Sequence, residues 1–321
     1  MYQNQMVALD PRNNVNELTN QEWVSKSSSI RFTPEQKEQF LNVHPHLFQL
    51  RVALMNRFGP DVVEAVFGDI VPSLLAYPAI MPDKYSLAHP ASFDEREIID
   101  HIELLTKRNE LVLDIFSGSG TTLSACYKTG RMGAGIELMD EWIEVTKSRI
   151  LEVTGSPYQY KKYNLFLKQG DCQEVLPTMK PDYFDFIISS PPYFNILKNP
   201  NGWRSKYRRR NGLAVNYGNS ERDLGRLNSY QDFMKQMTLI YSQCYRILKK
   251  GKFMVIIVAD ISPKGQFIPY HIDTIHAVCA SGFNLRGIQV IMDHWKKCND
   301  YGIPNRFFFN FHHHYALVFQ K

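Results

Sequence analysis

From residue 111 onward, short apolar runs alternate with longer amphipathic ones. Residues 111–115, 133–136, 165–167, 184–188, 253–258, 288–292 and 315–319 are brief, mostly apolar and bounded by turn-forming or polar residues, which predicts strands. Residues 121–128, 140–153 and 230–248 carry apolar positions at helical spacing and lie between those strands. The run at 184–188 reads as buried on both faces, as expected of a strand inside a parallel sheet. Such alternation predicts an α/β fold, a mostly parallel sheet covered by helices on both faces. Residues 1–85 have a different texture. Phe40, Val43, Leu47, Leu50 and Leu54 recur at helical intervals within 35–55, and a second helical pattern runs from Asp61 to about Leu75. Pro78, Pro82 and Pro90 mark the exit from this segment, so 1–85 is expected to form a small helical lobe before a larger domain over 86–321.

With 44% apolar and 21% charged residues in 321, the composition is that of a globular protein with a substantial core. The first twelve residues lack the apolar centre of a signal peptide, and no apolar run reaches membrane-spanning length. The five cysteines are scattered without a CxxC pair, which favours reduced thiols over a disulfide framework. A cytoplasmic protein without a membrane partner is expected. The net charge of +5 is unevenly spread. Residues 195–229 hold eight basic side chains against two acidic ones, an excess of six, so the remainder carries a net charge of −1. A basic stretch this concentrated calls for a polyanionic partner.

Candidate chemistry gathers at strand ends. Asp114-Ile-Phe116-Ser-Gly118-Ser-Gly120-Thr121 follows the first strand of the alternating series and opens a helix. Ligands of open α/β sheets bind at such carboxyl ends, where glycines permit close backbone approach. A phosphate-binding Walker loop would need Lys where Thr121 stands, and a dinucleotide fingerprint a small residue where Leu123 stands. Glu137 ends the next strand, where a carboxylate can accept from ribose hydroxyls. Asp171 follows the third, placed to reach an adenine amino group.

Ser190-Pro191-Pro192-Tyr193 follows the most hydrophobic strand. Successive prolines fix the backbone and remove donors, leaving carbonyls that only accept. That arrangement suits activation of an exocyclic base amine, whose lone pair is delocalised into its ring. Acceptors aimed at its hydrogens, here the Ser190 hydroxyl and Pro191 carbonyl, draw the nitrogen toward tetrahedral geometry. An aromatic ring such as Tyr193 can stack on the base, which must first leave the helix.

Together, the Phe116–Gly120 and Ser190–Tyr193 motifs resemble those of the S-adenosylmethionine-dependent DNA amino-methyltransferases, which modify cytosine N4 or adenine N6. His89-Pro-Ala-Ser92-Phe is similar to that family's methionine-side cofactor motif, residues 133–137 to its ribose motif, and Gly170-Asp171-Cys172 to its adenine motif. The resemblance covers about residues 85–321. It implies a Rossmann-like seven-stranded sheet with one antiparallel strand, closed by a hairpin strand over 314–319. It further implies S-adenosylmethionine held by His89, Ser92, Asp114, Phe116, Gly118, Gly120, Thr121, Glu137, Asp171 and Cys172, and catalysis by Ser190, Pro191, Pro192 and Tyr193.

Double-stranded DNA is the expected partner, with a homodimer left open. In the 195–229 insertion Trp203, Tyr207 and Tyr217 are interleaved with basic residues, so Lys198, Arg204, Lys206, Arg208, Arg209 and Arg210 are the candidate phosphate contacts. Base recognition falls to this insertion, to residues 1–85, or to both. His312, His313 and His314 have no Cys or His partner at metal-ligand spacing, so no metal is expected. Ser rather than Asp at position 190 resembles the cytosine-N4 enzymes of the family, which favours cytosine N4 over the alternative, adenine N6. A DNA-binding regulator without turnover is the rival of a different class.

Overall fold

In the computed structural model, residues 74–77, 83–89, 94–156, 164–194, 209–211, 220, 222–262, 266–292 and 312–321 are described. In chain order the elements are β1 (Leu74–Ala76), α1 (Lys84–Ala88), α2 (Glu95–Leu105), β2 (Leu111–Asp114), α3 (Thr121–Thr129), β3 (Met132–Glu137) and α4 (Asp140–Thr154). There follow β4 (Leu165–Gln169), the single turn α5 (Cys172–Val175), β5 (Phe184–Ser189), α6 (Tyr230–Ile247), β6 (Leu248–Val258), α7 (Tyr270–Ala280), β7 (Asn284–Met292) and β8 (His313–Gln320). The sheet runs β1-β7-β8-β6-β5-β2-β3-β4.

Every neighbouring pair is parallel except those of β8, which is antiparallel to both β6 and β7. The seven strands expected are therefore present, with one antiparallel. An eighth, β1, adds to the edge of β7, pairing Leu74–Ala76 with Val290–Met292. It lies inside the segment read as a helical lobe, where the second helical pattern was carried to about Leu75. The rest of that pattern, and the helix expected over 35–55, fall outside the described residues.

The chain proceeds β2→β3→β4 in one direction and returns to lay β5 on the other side of β2. As a rule crossovers between parallel strands are right-handed, which puts the helices of the two halves on opposite faces and opens a crevice where the direction reverses, between the carboxyl ends of β2 and β5. Both strands are buried along their whole length, Asp185 included, because the carboxylate accepts from Leu111 N–H at 3.1 Å and Lys249 Nζ at 2.7 Å. Helix α6 turns Phe233, Met237, Ile240, Tyr241, Cys244 and Ile247 inward and is capped by Ser229, whose side chain accepts from Asp232 N–H. The core thus sits directly beneath the crevice and fixes the two strand ends that border it. Among the described residues no helix is long and apolar enough to cross a membrane. Cys126, Cys172 and Cys244 are buried and Cys279 exposed, all as free thiols.

Candidate active site

The crevice holds one cleft lined by residues of every motif group: His89, Asp114, Phe116, Gly118, Thr121, Glu137, Asp171, Cys172, Ser190, Pro191 and Pro192. Of the remaining expected site residues, Ser92, Lys198, Arg204, Lys206 and Arg208 lie outside the described residues, and Arg209 and Arg210 are exposed.

The loop after β2 is held by side chains rather than by regular structure. Asp114, buried at 6% exposure, accepts from Ser189 Oγ at 2.6 Å, Thr122 Oγ1 at 2.6 Å and Phe116 N–H at 3.1 Å. Burial pushes its carboxyl above the usual range, and these hydrogen bonds oppose the rise. Ser189 also accepts from Phe116 N–H at 3.2 Å, so one hydroxyl ties the loop after β2 to the end of β5, one residue before Ser190. Asp114 was expected as a direct cofactor ligand; its described bonds all go to the loop's own framework.

The glycines serve packing as much as access. Gly120 has φ +77°, and a Cβ there would lie 2.6 Å from Thr146 Cγ2 on α4. A Cβ on Gly118, at φ +52°, would lie 3.1 Å from His89 Nε2. The His89 ring meets Trp142 edge-on at 4.6 Å, and both line the cleft. Arg149, itself buried, holds the strap that carries His89. Its guanidinium donates to Thr121 Oγ1 at 2.6 Å, Ser119 O at 3.1 Å and Ser86 Oγ at 2.8 Å, and pairs with Asp83.

Glu137 accepts from Gly118 N–H and Met139 N–H, each at 2.8 Å. At 8% exposure its carboxyl is pushed up to about 7, chiefly by burial and against the pull of those amides. Nearby, the buried Ser117 hydroxyl has no hydrogen-bond partner among the described residues although it lines the cleft. A buried carboxylate and an unsatisfied hydroxyl in one crevice suit a ligand carrying ribose hydroxyls and polar ends. Asp171 caps α5 by accepting from Gln173 N–H at 2.9 Å, and burial drives the neighbouring Cys172 thiol well above its usual range.

Ser190, Pro191 and Pro192 border this cleft, but Tyr193 is not among its lining residues. Its half-buried ring leans edge-on toward Tyr270 at 6.1 Å, and its hydroxyl accepts from Ala259 N–H at 3.2 Å. Phe194 is buried against Tyr230 and Phe233 and anchors the loop to α6.

A family model described as DNA methylase matches residues 15–148 and 184–321. The chain belongs to the N6/N4 DNA methylase family. Among curated relatives, the type II beta methyltransferase M.BslI of Bacillus sp. (strain NEB-606) is 29% identical over 38% of this chain and 14% of its own length. The type II methyltransferase M.AvaI of Nostoc sp. is 29% identical over 50% of this chain and 27% of its own. This member of the family therefore matches only a minor part of the length of either relative. Among solved structures, TrmN from Thermus thermophilus matches with a TM-score of 0.44 at 13% identity, over 74% of this chain and 51% of the other. A SAM-dependent methyltransferase from Methanosarcina mazei gives 0.43 at 14% identity, over 68% and 96%. The assignment of the fold rests on strand order and register, not on those scores.

Among the cleft residues that the sequence reading did not assign are Trp142 and, at the returning end of the basic insertion, Arg222, Asp223 and Leu224. Arg222 pairs with Glu174 of α5 at 2.8 Å, and a Cβ on Gly225 would lie 3.1 Å from the Tyr193 carbonyl oxygen. The return thus reaches from the Asp171 side of the cleft to the Ser190–Tyr193 loop. Its signal in the sequence is Asp223, an acidic residue within a basic run.

Proposed function

We propose that this protein transfers a methyl group to the N4 amine of a cytosine flipped out of double-stranded DNA. The cofactor is that of the family, S-adenosylmethionine. The observation that carries the reading is the single cleft in which Gly118, Glu137 and Asp171 share walls with Ser190, Pro191 and Pro192. A methyl donor and an amine held on those two walls would meet across the β2–β5 crevice.

The bound cofactor supplies an electrophilic methyl group on a sulfonium. The protein's own residues do the rest. Glu137 would accept from the ribose hydroxyls, Asp171 would face the adenine, and His89 and Trp142 would close the methionine end. Ser190 Oγ and the Pro191 carbonyl accept from the target amine and draw its lone pair out of conjugation. Tyr193 stacks on the flipped base, which requires its ring to turn from Tyr270 toward the cleft. The basic insertion, including Arg208, Arg209 and Arg210, supplies phosphate contacts. Ser190, in place of an acidic residue, supports cytosine as the target.

Expression in a methylation-free host, followed by identification of the modified base in its DNA, tests this reading. N4-methylcytosine that disappears in Ser190→Ala is expected. N6-methyladenine instead would move the target base. Cofactor binding without modification of any duplex would make the protein a silent DNA-binding regulator.

A further inference from the structure

Methyl transfer turns a sulfonium cation into a neutral thioether, because sulfur keeps the electron pair of the bond to the departing methyl. The methyl donor and its product therefore differ in charge as well as in one methyl group. The lining of the cleft is charged to match the donor. Among the described residues there are four carboxylic acids, Asp114, Glu137, Asp171 and Asp223, against one permanent cation, Arg222. Arg222 is itself matched by Glu174 at 2.8 Å. The buried Ser117 hydroxyl, without a partner among the described residues, marks the same cleft as the place of a polar ligand.

The four acids are not equivalent. Asp114 accepts from three donors of its own loop framework, and burial pushes its carboxyl up. Glu137 is committed to Gly118 N–H and Met139 N–H, and with its carboxyl at about 7 it is only partly charged at neutral pH. Asp171 lies on the α5 side, as the cap of that turn. Asp223 is the acid beside the Ser190–Tyr193 loop. It is 8% exposed and caps the single turn Leu224–Arg226, accepting from Gly225 N–H at 2.9 Å. A Cβ added to Gly225 would lie 3.1 Å from the Tyr193 carbonyl oxygen, 3.2 Å from Asp223 Oδ1 and 3.8 Å from Pro192 Cβ, so the three groups surround one point. Leu224 belongs to the same core cluster as Phe194 and Phe233, which anchors the turn there. A methyl group meant for an amine on Ser190 and Pro191 has to arrive at this loop, and its sulfonium with it.

We propose that Asp223 makes the cleft select the cationic methyl donor over its neutral thioether product. The inference rests on the cofactor part of the reading above and not on which base is modified. Coulomb attraction falls only as the inverse of distance, so a carboxylate within the cleft acts on a sulfonium without touching it. Once the methyl has gone, that attraction has gone too. The residue that helps to hold the donor thus stops holding the product.

Calorimetry with S-adenosylmethionine, S-adenosylhomocysteine and sinefungin tests this. Sinefungin carries an ammonium where the sulfonium stood, so it reports charge without a transferable methyl. Asp223→Asn removes the charge and keeps a good capping group. It should weaken S-adenosylmethionine and sinefungin by roughly ten- to twentyfold, the attraction of unit charges ~10 Å apart at an effective dielectric of about 20, and leave S-adenosylhomocysteine within about twofold. Asp171→Asn, on the adenine side, should change the ratio of charged to neutral ligand affinity less. Thermal unfolding checks that each variant folds, and Asp223→Ser, another neutral cap, carries the same prediction if Asp223→Asn does not. Equal losses for the three ligands in a folded variant overturn the proposal, as does parental affinity for S-adenosylmethionine. A ratio that shifts as much in Asp171→Asn overturns the assignment to Asp223. A parent that binds none of the three overturns the cofactor reading, and this inference with it. Methylation of adenine, or of no base, overturns the target assignment alone, because every arm here reads binding.

Discussion

On the side of the cleft proposed to hold the cofactor, the key residues fall in short contiguous motifs at strand ends, and several of their polar groups are satisfied within the fold. Asp114 ties Phe116, Thr122 and Ser189 together, and Glu137 holds the amides of Gly118 and Met139. On the side of the Ser190–Tyr193 loop, Tyr193, Ala259, Tyr270 and Phe233 come from four separate segments and meet through ring contacts and one hydrogen bond. The cofactor side is therefore part of the folding framework, and damage to it should strike stability and binding together. The base side adjoins that framework, and damage there should strike chemistry alone.

The sharpest test of this contrast is Gly120→Ala. The left-handed backbone costs an L-residue about 1–2 kcal/mol, and the approach to Thr146 adds to it. Gly155→Ala has φ +66° but meets nothing within 4 Å, so it should show the backbone cost alone. Denaturant unfolding and cofactor calorimetry should show Gly120→Ala losing stability and affinity together, and Gly155→Ala losing only stability. Equal effects of the two would mean that α4 does not brace the loop.

Tyr193→Ala is the counterpart on the base side. Cofactor affinity should remain parental while methyl transfer falls by roughly 1–3 kcal/mol of lost stacking, about five- to 150-fold. A loss that shows up in cofactor affinity would erase the division between the two sides.

A smaller effect, graded with pH, should appear at Glu137. Ribose hydroxyls favour its ionised form, so cofactor affinity should fall as pH drops below about 7, by at most about tenfold per unit. Glu137→Gln should flatten that dependence. Stability of the ligand-free protein should respond in the opposite sense. The folded carboxyl holds its proton up to about 7 against an ordinary 4.5. Its contribution is therefore full below 4.5 and is lost as pH rises through about 7. Thermal unfolding of parent and Glu137→Gln across this window checks the sign.

The same contrast governs what could be read from sequence. The Asp114–Thr121 loop, Glu137, Asp171 and Ser190–Pro192 were legible because each motif is contiguous and ends a strand whose apolar run is plain. The surroundings of Tyr193 were not, since Ala259 and Tyr270 share no local pattern with it and meet it only once β6 and α7 are packed. Helix α2 escaped for another reason: its buried face is Glu97, Ile98, His101 and Ile102, and half of that face is polar. The polar members are matched inside the fold, His101 to Gln289 at 2.8 Å and Glu97 to His314 at 3.0 Å. Arg222–Leu224 was hidden by the net charge of its surroundings, which points to phosphate and says nothing about where a loop returns.

Strand β1 carries a practical consequence. Without it, the outer rim of β7 would offer a row of unpaired amides and carbonyls to any passing strand, and a three-residue strip covers part of that rim. A chain trimmed to begin at residue 86, a natural cut for anyone isolating the catalytic region, would strip this cover away. Such a fragment could keep its whole catalytic cleft and still be lost to self-association, so the cut belongs upstream of Leu74.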